Sequence, residues 1–309
     1  MLNSERIRSK SSIQEITESY PYAGNVPPRG LIIDGRPAMT QIDPQKAGDF
    51  VLMTVRDPLC AYSEDPAQLL AKRLEGPELI GRSGMFTSYT GMYKGAKITI
   101  VSGGSGSAEA ELALYDYMEY TSAHTYLRVG GSGGLGDNVH PGDIVIASGV
   151  VREDGMTGSY IPLAYPAACH YEVVAAMVQA AENLGASYHV GVTLSVASDF
   201  VGGGRPGVGG YLQPWNTATP AIYNRAGVLN GDRESAGIVT LASLFGLRGG
   251  AVCSVADNLV TGERFQEGAG HGDAIAVALE ACSILQQMDA SKRGKPYWCP
   301  KMGGASWEF

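Results

Sequence analysis

The sequence predicts an α/β domain built on a central sheet, and three observations carry that prediction. Short apolar runs rich in β-branched residues alternate along the chain with longer stretches whose apolar residues recur at helical spacing. Glycines, 42 among 309 residues, cluster between those runs at no fixed period, as they do where backbone turns closely about a ligand. A hydrophobic content of 44% is enough to bury one large core.

Residues 1–40, polar and then rich in proline and glycine, read as an arm laid over the body or over a neighbouring subunit. The domain itself spans 41–290. "FVLMTV" (50–55), closed by "RDP", is a buried strand, and "DPAQLLAKRLEG" (65–76) has leucines at helical spacing behind an Asp-Pro start. "MFTSYTGMYKGAKITIVSGG" is a hairpin turning near Lys94-Gly95. A helix follows over 107–121, then strands in "HTYLRVGG" and "GDIVIASGVV". "HYEVVAAMVQAAENLG" (170–185) is an amphipathic helix ending at glycine, and "SYHVGVTLSVASDF" a further strand. Helix "DRESAGIVTLASLFG" (232–246), strand "RGGAVCSVADN" and helix "GDAIAVALEACSILQQMD" (272–289) complete the domain. Residues 291–309 read as a surface tail. In such sheets ligands lie beyond the carboxyl ends of strands, which directs attention to "RVGGSGG", "SDFVGGGR", "ADN" and the start of the "DRES" helix.

Composition narrows the partners. A net charge of −8 and a pI of about 5.2, with no Lys/Arg run, argue against nucleic acid; a small anion needs only a few local cations. The five cysteines lack C-x-x-C spacing and are odd in number, so buried reduced thiols in a cytoplasmic protein are expected, without zinc site or disulfide framework. No apolar run is long enough to span a bilayer, so no membrane partner is expected. The five histidines, His124, His140, His170, His189 and His271, show no metal-ligand spacing and read as surface or helix-cap residues.

Gly131, Gly133 and Gly136 in "YLRVGGSGGLGDNVHPGDIVIASG" fit G-x-G-x-x-G, yet a turn, a proline and a strand follow Gly136 where a dinucleotide site needs a helix. A glycine-rich strand end carrying Arg128 can still hold an anion by its amides and guanidinium, or Arg128 can simply pair with a carboxylate. Ser102, Ser105 and Ser107 lie at a second glycine-rich turn, read equally as phosphate-binding amides or as plain helix capping.

Together, "YLRVGGSGG…VHPGDIVIASGVVREDG", "YIPLAYPAACHYEVV" and "GVLNGDRESAGIVTLASLFGLRGGAVCSVADN" resemble the nucleoside phosphorylase superfamily over roughly residues 40–290, and within it most the uridine phosphorylases. The resemblance implies a single-domain α/β fold with a central mixed sheet flanked by helices. It also implies a homo-oligomer of dimers, often a hexamer, and cleavage of a nucleoside's N-glycosidic bond with inorganic phosphate as co-substrate and no cofactor. By position, Arg128 matches the arginine that grips phosphate, with Gly131 and Ser132 after it where the family has hydroxyl residues at both. Glu234 matches the carboxylate that holds the ribose hydroxyls, and Asp232 the acidic residue two before it. Arg233 stands where a methionine packs under the sugar. Phe200 matches an aromatic over the base, Arg205 an arginine that reads it, and Ser132 and Gly133 lie on the same side. Asp257 aligns with an aspartate that protonates purines, and Asn258 with the uridine-type pattern.

The departures concern the base and phosphate: the glutamine that reads a pyrimidine beside the arginine has no equivalent in "FVGGGRPGVGG". In "RDPLCAY", Asp57 and Pro58 match the family's G-D-P-x-R, but Arg56 replaces the glycine and the later arginine is gone. Gly84 stands where a cross-dimer arginine is expected, with Arg82 two positions earlier, and no histidine near the start matches the expected neighbour's. Arg56 and Arg82 are therefore candidate substitutes. Phosphorolysis is the leading expectation; hydrolysis on the same fold and a non-catalytic nucleoside-binding protein are the alternatives. Arg233 is expected to turn outward and pair with Asp232 or Glu234, the alternative being that it meets a negatively charged group on an unusual substrate.

Overall fold

"FVLMT" is buried at every position, as a strand covered on both faces must be. This strand, β3 (Phe50–Thr54), alternates its side chains between two cores: Phe50 and Leu52 on one face, Val51 and Met53 on the other. The computed structural model describes residues 2–25, 30–56, 60 and 62–304. Asp57 and Pro58, and Trp307 of the tail, lie outside the described residues.

Beside β3 run β7 (Thr125–Gly134) and β6 (Ala96–Ser102), both parallel to it. β6 continues antiparallel into β5 (Thr87–Tyr93) and β4 (Glu75–Arg82). On the other side β7 pairs in parallel with β12 (Arg248–Asn258), followed in the sheet by β8 (Ile144–Glu153), β10 (Tyr188–Val196) and β11 (Val228–Asp232). β11 then returns to β7 through Asn230↔Gly134 and Gly231↔Gly133, so five strands close into a ring. A two-residue strand, β9 (Ala167–Ala168), adds to β8. The mixed sheet agrees with the expected class.

Helices α3 (Pro66–Ala71), α6 (Tyr171–Leu184) and α9 (His271–Ser291) belong to the face that includes Phe50 and Leu52; α4 (Ser107–Tyr120) and α8 (Ser235–Leu244) cover the other. Gly185 closes α6 in the left-handed conformation, φ 65°. The hairpin turns at Lys94 and Gly95 as expected, both with positive φ. α3 is shorter than the 65–76 expected: its last turn gives way at Lys72 and Glu75 already belongs to β4.

The arm holds two helices that the sequence did not announce, α1 (Asn3–Arg8) and α2 (Ser11–Ser19). α1 is pinned to the body: Asn3 donates to the Ala123 carbonyl (2.6 Å), Ser4 to that of Glu119 (2.7 Å) and Arg6 to that of Phe245 (2.5 Å). The tail is tied down too. Tyr171 donates to the Trp298 carbonyl (2.7 Å), and the Trp298 amide donates to Glu172 (2.9 Å). Cys60, Cys169, Cys253 and Cys282 are buried, whereas Cys299 is exposed. No described helix is long and apolar enough to cross a membrane.

Candidate active site

A cavity of about 650 Å³ opens where the carboxyl ends of β3, β7, β10, β11 and β12 meet. It lies in the size range of small-molecule sites. Its wall includes Arg56, Arg128, Gly131, Ser132, Gly133, Phe200, Arg205, Arg233, Glu234 and Asp257. These sequence-predicted site residues thus converge, whereas others do not. Arg82 is exposed on β4 and is not part of this wall; it faces Thr87 across the β4–β5 pair.

At the centre stands a buried ion pair. Tyr126 on β7 packs into the core face that α4 and α8 cover, and alternation sends Arg128 to the same face, where α8 begins. Glu234 is the N-cap of that helix. Arg128 reaches it through Nη2 (2.9 Å) and Nε (3.1 Å), and its Nη1 donates to the Val129 carbonyl. The other Glu234 oxygen accepts from the Gly106 amide at 2.5 Å. Burial alone would lower the Arg128 pKa, but Glu234, Cys253 and Asp232 outweigh it and hold the guanidinium charged. Burial pushes the Glu234 carboxyl up while Arg128 and the Gly106 amide pull against it. Close approach dictates Gly130: a Cβ there would stand 1.8 Å from Arg128 Nη1.

A second pair marks the far side. Arg205 Nη2 lies 2.7 and 3.0 Å from the two oxygens of Asp257. Gly133 leaves room for it, since a Cβ would fall 2.9 Å from Asp257 Oδ1 and 3.2 Å from Arg205 Nη2. Ser132 donates to the Ser254 carbonyl (2.8 Å) and accepts from Asn230 (2.9 Å). Phe200, 62% exposed, overhangs the rim. Arg56 donates to the Thr87 hydroxyl (2.8 Å) and meets Asp65 at 3.1 Å.

Several expectations need correction. Arg233 does not pair with Asp232 or Glu234. Asp232 is occupied by Ser195 and by the amide and hydroxyl of Ser235, and Glu234 by Arg128; Arg233 turns instead to Asp199 and Ser105, both at 3.2 Å. The amides of Ser105, Gly106 and Ser107 are committed to Glu109, Glu234 and the Arg233 carbonyl, so that turn serves the protein's own groups. Asn258 lies outside the wall; its amide group donates to the carbonyls of Gly136 and Val139 and pins the glycine turn. His170 does cap α6, accepting from the Glu172 amide. His271, read as a surface or cap residue, is buried and forms part of the wall. Its Nε2 shares a 2.5 Å hydrogen bond with Tyr62, and Nδ1 a 3.3 Å one with Ser254. Its position just after the glycine run "GAGH" was the only available signal.

A family model described as "Phosphorylase superfamily" matches residues 59–286. The chain is 38% identical over 221 residues to a uridine phosphorylase of Thermococcus kodakarensis, which covers 71% of this chain and 79% of that protein. A uridine phosphorylase of Haemophilus influenzae is 30% identical over 206 residues, 63% of this chain and 78% of that one. A guanosine phosphorylase of Halorubrum lacusprofundi is 30% identical over 211 residues, 68% of this chain and 81% of that one.

Proposed function

This chain belongs to the phosphorylase superfamily and is a nucleoside phosphorylase, a pentosyltransferase; we propose that it works through the Arg128–Glu234 pair. The observation that carries this reading is that both groups wall one cavity 2.9 Å apart, close enough for one ribosyl phosphate to touch both. Glu234 accepts the 2′- and 3′-hydroxyls and fixes the sugar, while Arg128, with the Gly131 amide, steadies phosphate beneath the anomeric carbon; Ser132, whose one hydroxyl proton goes to the Ser254 carbonyl, holds that strand end in place. A phosphate oxygen attacks that carbon as the glycosidic bond breaks. The base leaves with the electron pair and takes up a proton, giving free base and ribose 1-phosphate. Holding an anion against a positively charging sugar, beside an ion pair buried from water, is electrostatic preorganisation.

At the base end, Arg205 donates to both oxygens of Asp257. Asp257 is thereby set up as an acceptor for a ring N–H, and the free edge of Arg205 as a donor to a ring carbonyl. Both uracil and guanine present such an edge, in keeping with relatives named for uridine and for guanosine. Phe200 covers the base. Arg56 supplies the second phosphate cation, and Arg82, exposed on an outer strand, serves a partner's site in a dimer-based homo-oligomer. Mostly buried cysteines fit a cytoplasmic enzyme. Release of free base from a uridine and guanosine panel, with and without phosphate, tests the reading. Release should be strongly faster with phosphate; release indifferent to phosphate, or absent, would overturn it.

A further inference from the structure

We propose that Arg233 and Ser105 form an oxyanion subsite on the sugar side of the cavity, built for a phosphate-class group. The proposal deepens the phosphorolytic reading and rests on it.

Four arginines wall the cavity and each meets a carboxylate, but they are held unequally. Arg205 meets Asp257 at 2.7 Å, Arg128 meets Glu234 at 2.9 Å, and Arg56 has Thr87 at 2.8 Å besides Asp65 at 3.1 Å. Arg233 has only long contacts: 3.2 Å to Ser105 Oγ, 3.2 Å to Asp199 and 3.4 Å to the Ala197 carbonyl. Its Nε is buried with no hydrogen-bond partner among the described residues. A guanidinium has five N–H donors in a fixed fork, and this one is underused. Its carboxylate is also the most solvated, with the Asp199 side chain 59% exposed against 20% for Asp65, 15% for Asp257 and 5% for Glu234.

The setting favours a ligand oxyanion over a structural ion pair. The amides at the start of α4 are spent on other groups, which leaves the guanidinium and the Ser105 hydroxyl to do the binding. Gly106 keeps the space open, since a Cβ there would approach Arg233 Nη2 to 3.2 Å. The Gly106 amide meets Glu234, so groups held by Glu234 and by Arg233 lie on either side of one residue. Asp199 is then a placeholder that an incoming anion displaces.

Two sources share this chemistry: inorganic phosphate and a phosphate ester on the nucleoside's sugar. Steady-state kinetics on the full chain, with phosphate varied and with a nucleoside 5′-monophosphate as substrate or competitor, separates them. If phosphate occupies the subsite, Arg233→Met raises KM for phosphate about tenfold or more. If the ester occupies it, Arg233→Met leaves that KM alone and weakens the 5′-monophosphate by a similar factor. In either case Asp199→Asn moves the same parameter in the opposite direction, and Arg233→Lys recovers part of the loss. The proposal is overturned if Arg233→Met changes neither parameter, or if both variants only lower kcat together. Should the wild type release no base at all, the phosphorolytic reading falls, and calorimetric titration of inorganic phosphate and of the 5′-monophosphate into wild type and Arg233→Met still decides the subsite.

Discussion

His271 shows how much one buried ring can bind together. Through Tyr62 it reaches Thr54 at the end of β3, and through Ser254 it reaches β12. Burial, aided by Arg128, lowers its pKa from 6.5 to about 4, so the folded protein holds the ring neutral. The folded state therefore binds fewer protons than the unfolded one between those values. Its stabilising contribution is complete above 6.5 and is lost as pH falls through that window toward about 4. His271→Asn should flatten this decline: melting temperatures followed across the window fall less steeply than in the wild type. Parallel curves would show that the ring is not what titrates. Motif position made Arg128 and Glu234 legible in the sequence, because each sits in a run whose residue types are fixed by close packing. His271, and the turn of Arg233 toward Asp199, were not legible, since neither neighbour is near in sequence.

At the scale of elements, strands and helices with strong periodicity were read correctly, and those without it were missed. β4 ("EGPELIGR") carries glycine and proline and leaves most of its length exposed, so no alternation announces it. Helix α7 (Pro214–Arg225) holds an internal Pro220 and buries no residue, so it has no apolar stripe to read. β11 is five residues with a glycine, yet it closes the ring and delivers Asp232 to the site. The glycine turn after β7 is held by Asn258, 1% exposed, which also accepts from the Val260 and Thr261 amides. Asn258→Ala strands these buried groups and should cost about 2–4 kcal/mol in urea unfolding, with reduced turnover because Asp257 is its neighbour. A loss under about 0.5 kcal/mol would mean that water replaces the side chain without penalty.

For the whole molecule, the arm and the tail bear on assembly. Ile16, Leu31, Ile32 and Ile33 of the arm are each exposed over half or more of their surface, and Arg82 is exposed on β4. Such a surface suits burial against a second copy. Light scattering at assay concentration should give a multiple of the 32.5 kDa chain mass; a monomer with full activity would refute the cross-subunit role of Arg82. The fold class was legible because it rests on periodicity summed over the chain. A dimer-based assembly is an expectation that rests on resemblance alone, since no periodicity within one chain encodes a contact between chains.

The account turns on one ligand bridging Arg128 and Glu234, and calorimetric binding of ribose 1-phosphate addresses it directly. Arg128→Lys keeps the buried charge but loses the fork, and Glu234→Gln keeps the shape but loses the charge. Each should weaken binding by about 100-fold, and the double variant by clearly less than the product of the two, because the residues share one ligand. Undiminished binding in either single variant, or strictly multiplicative losses, would contradict the account.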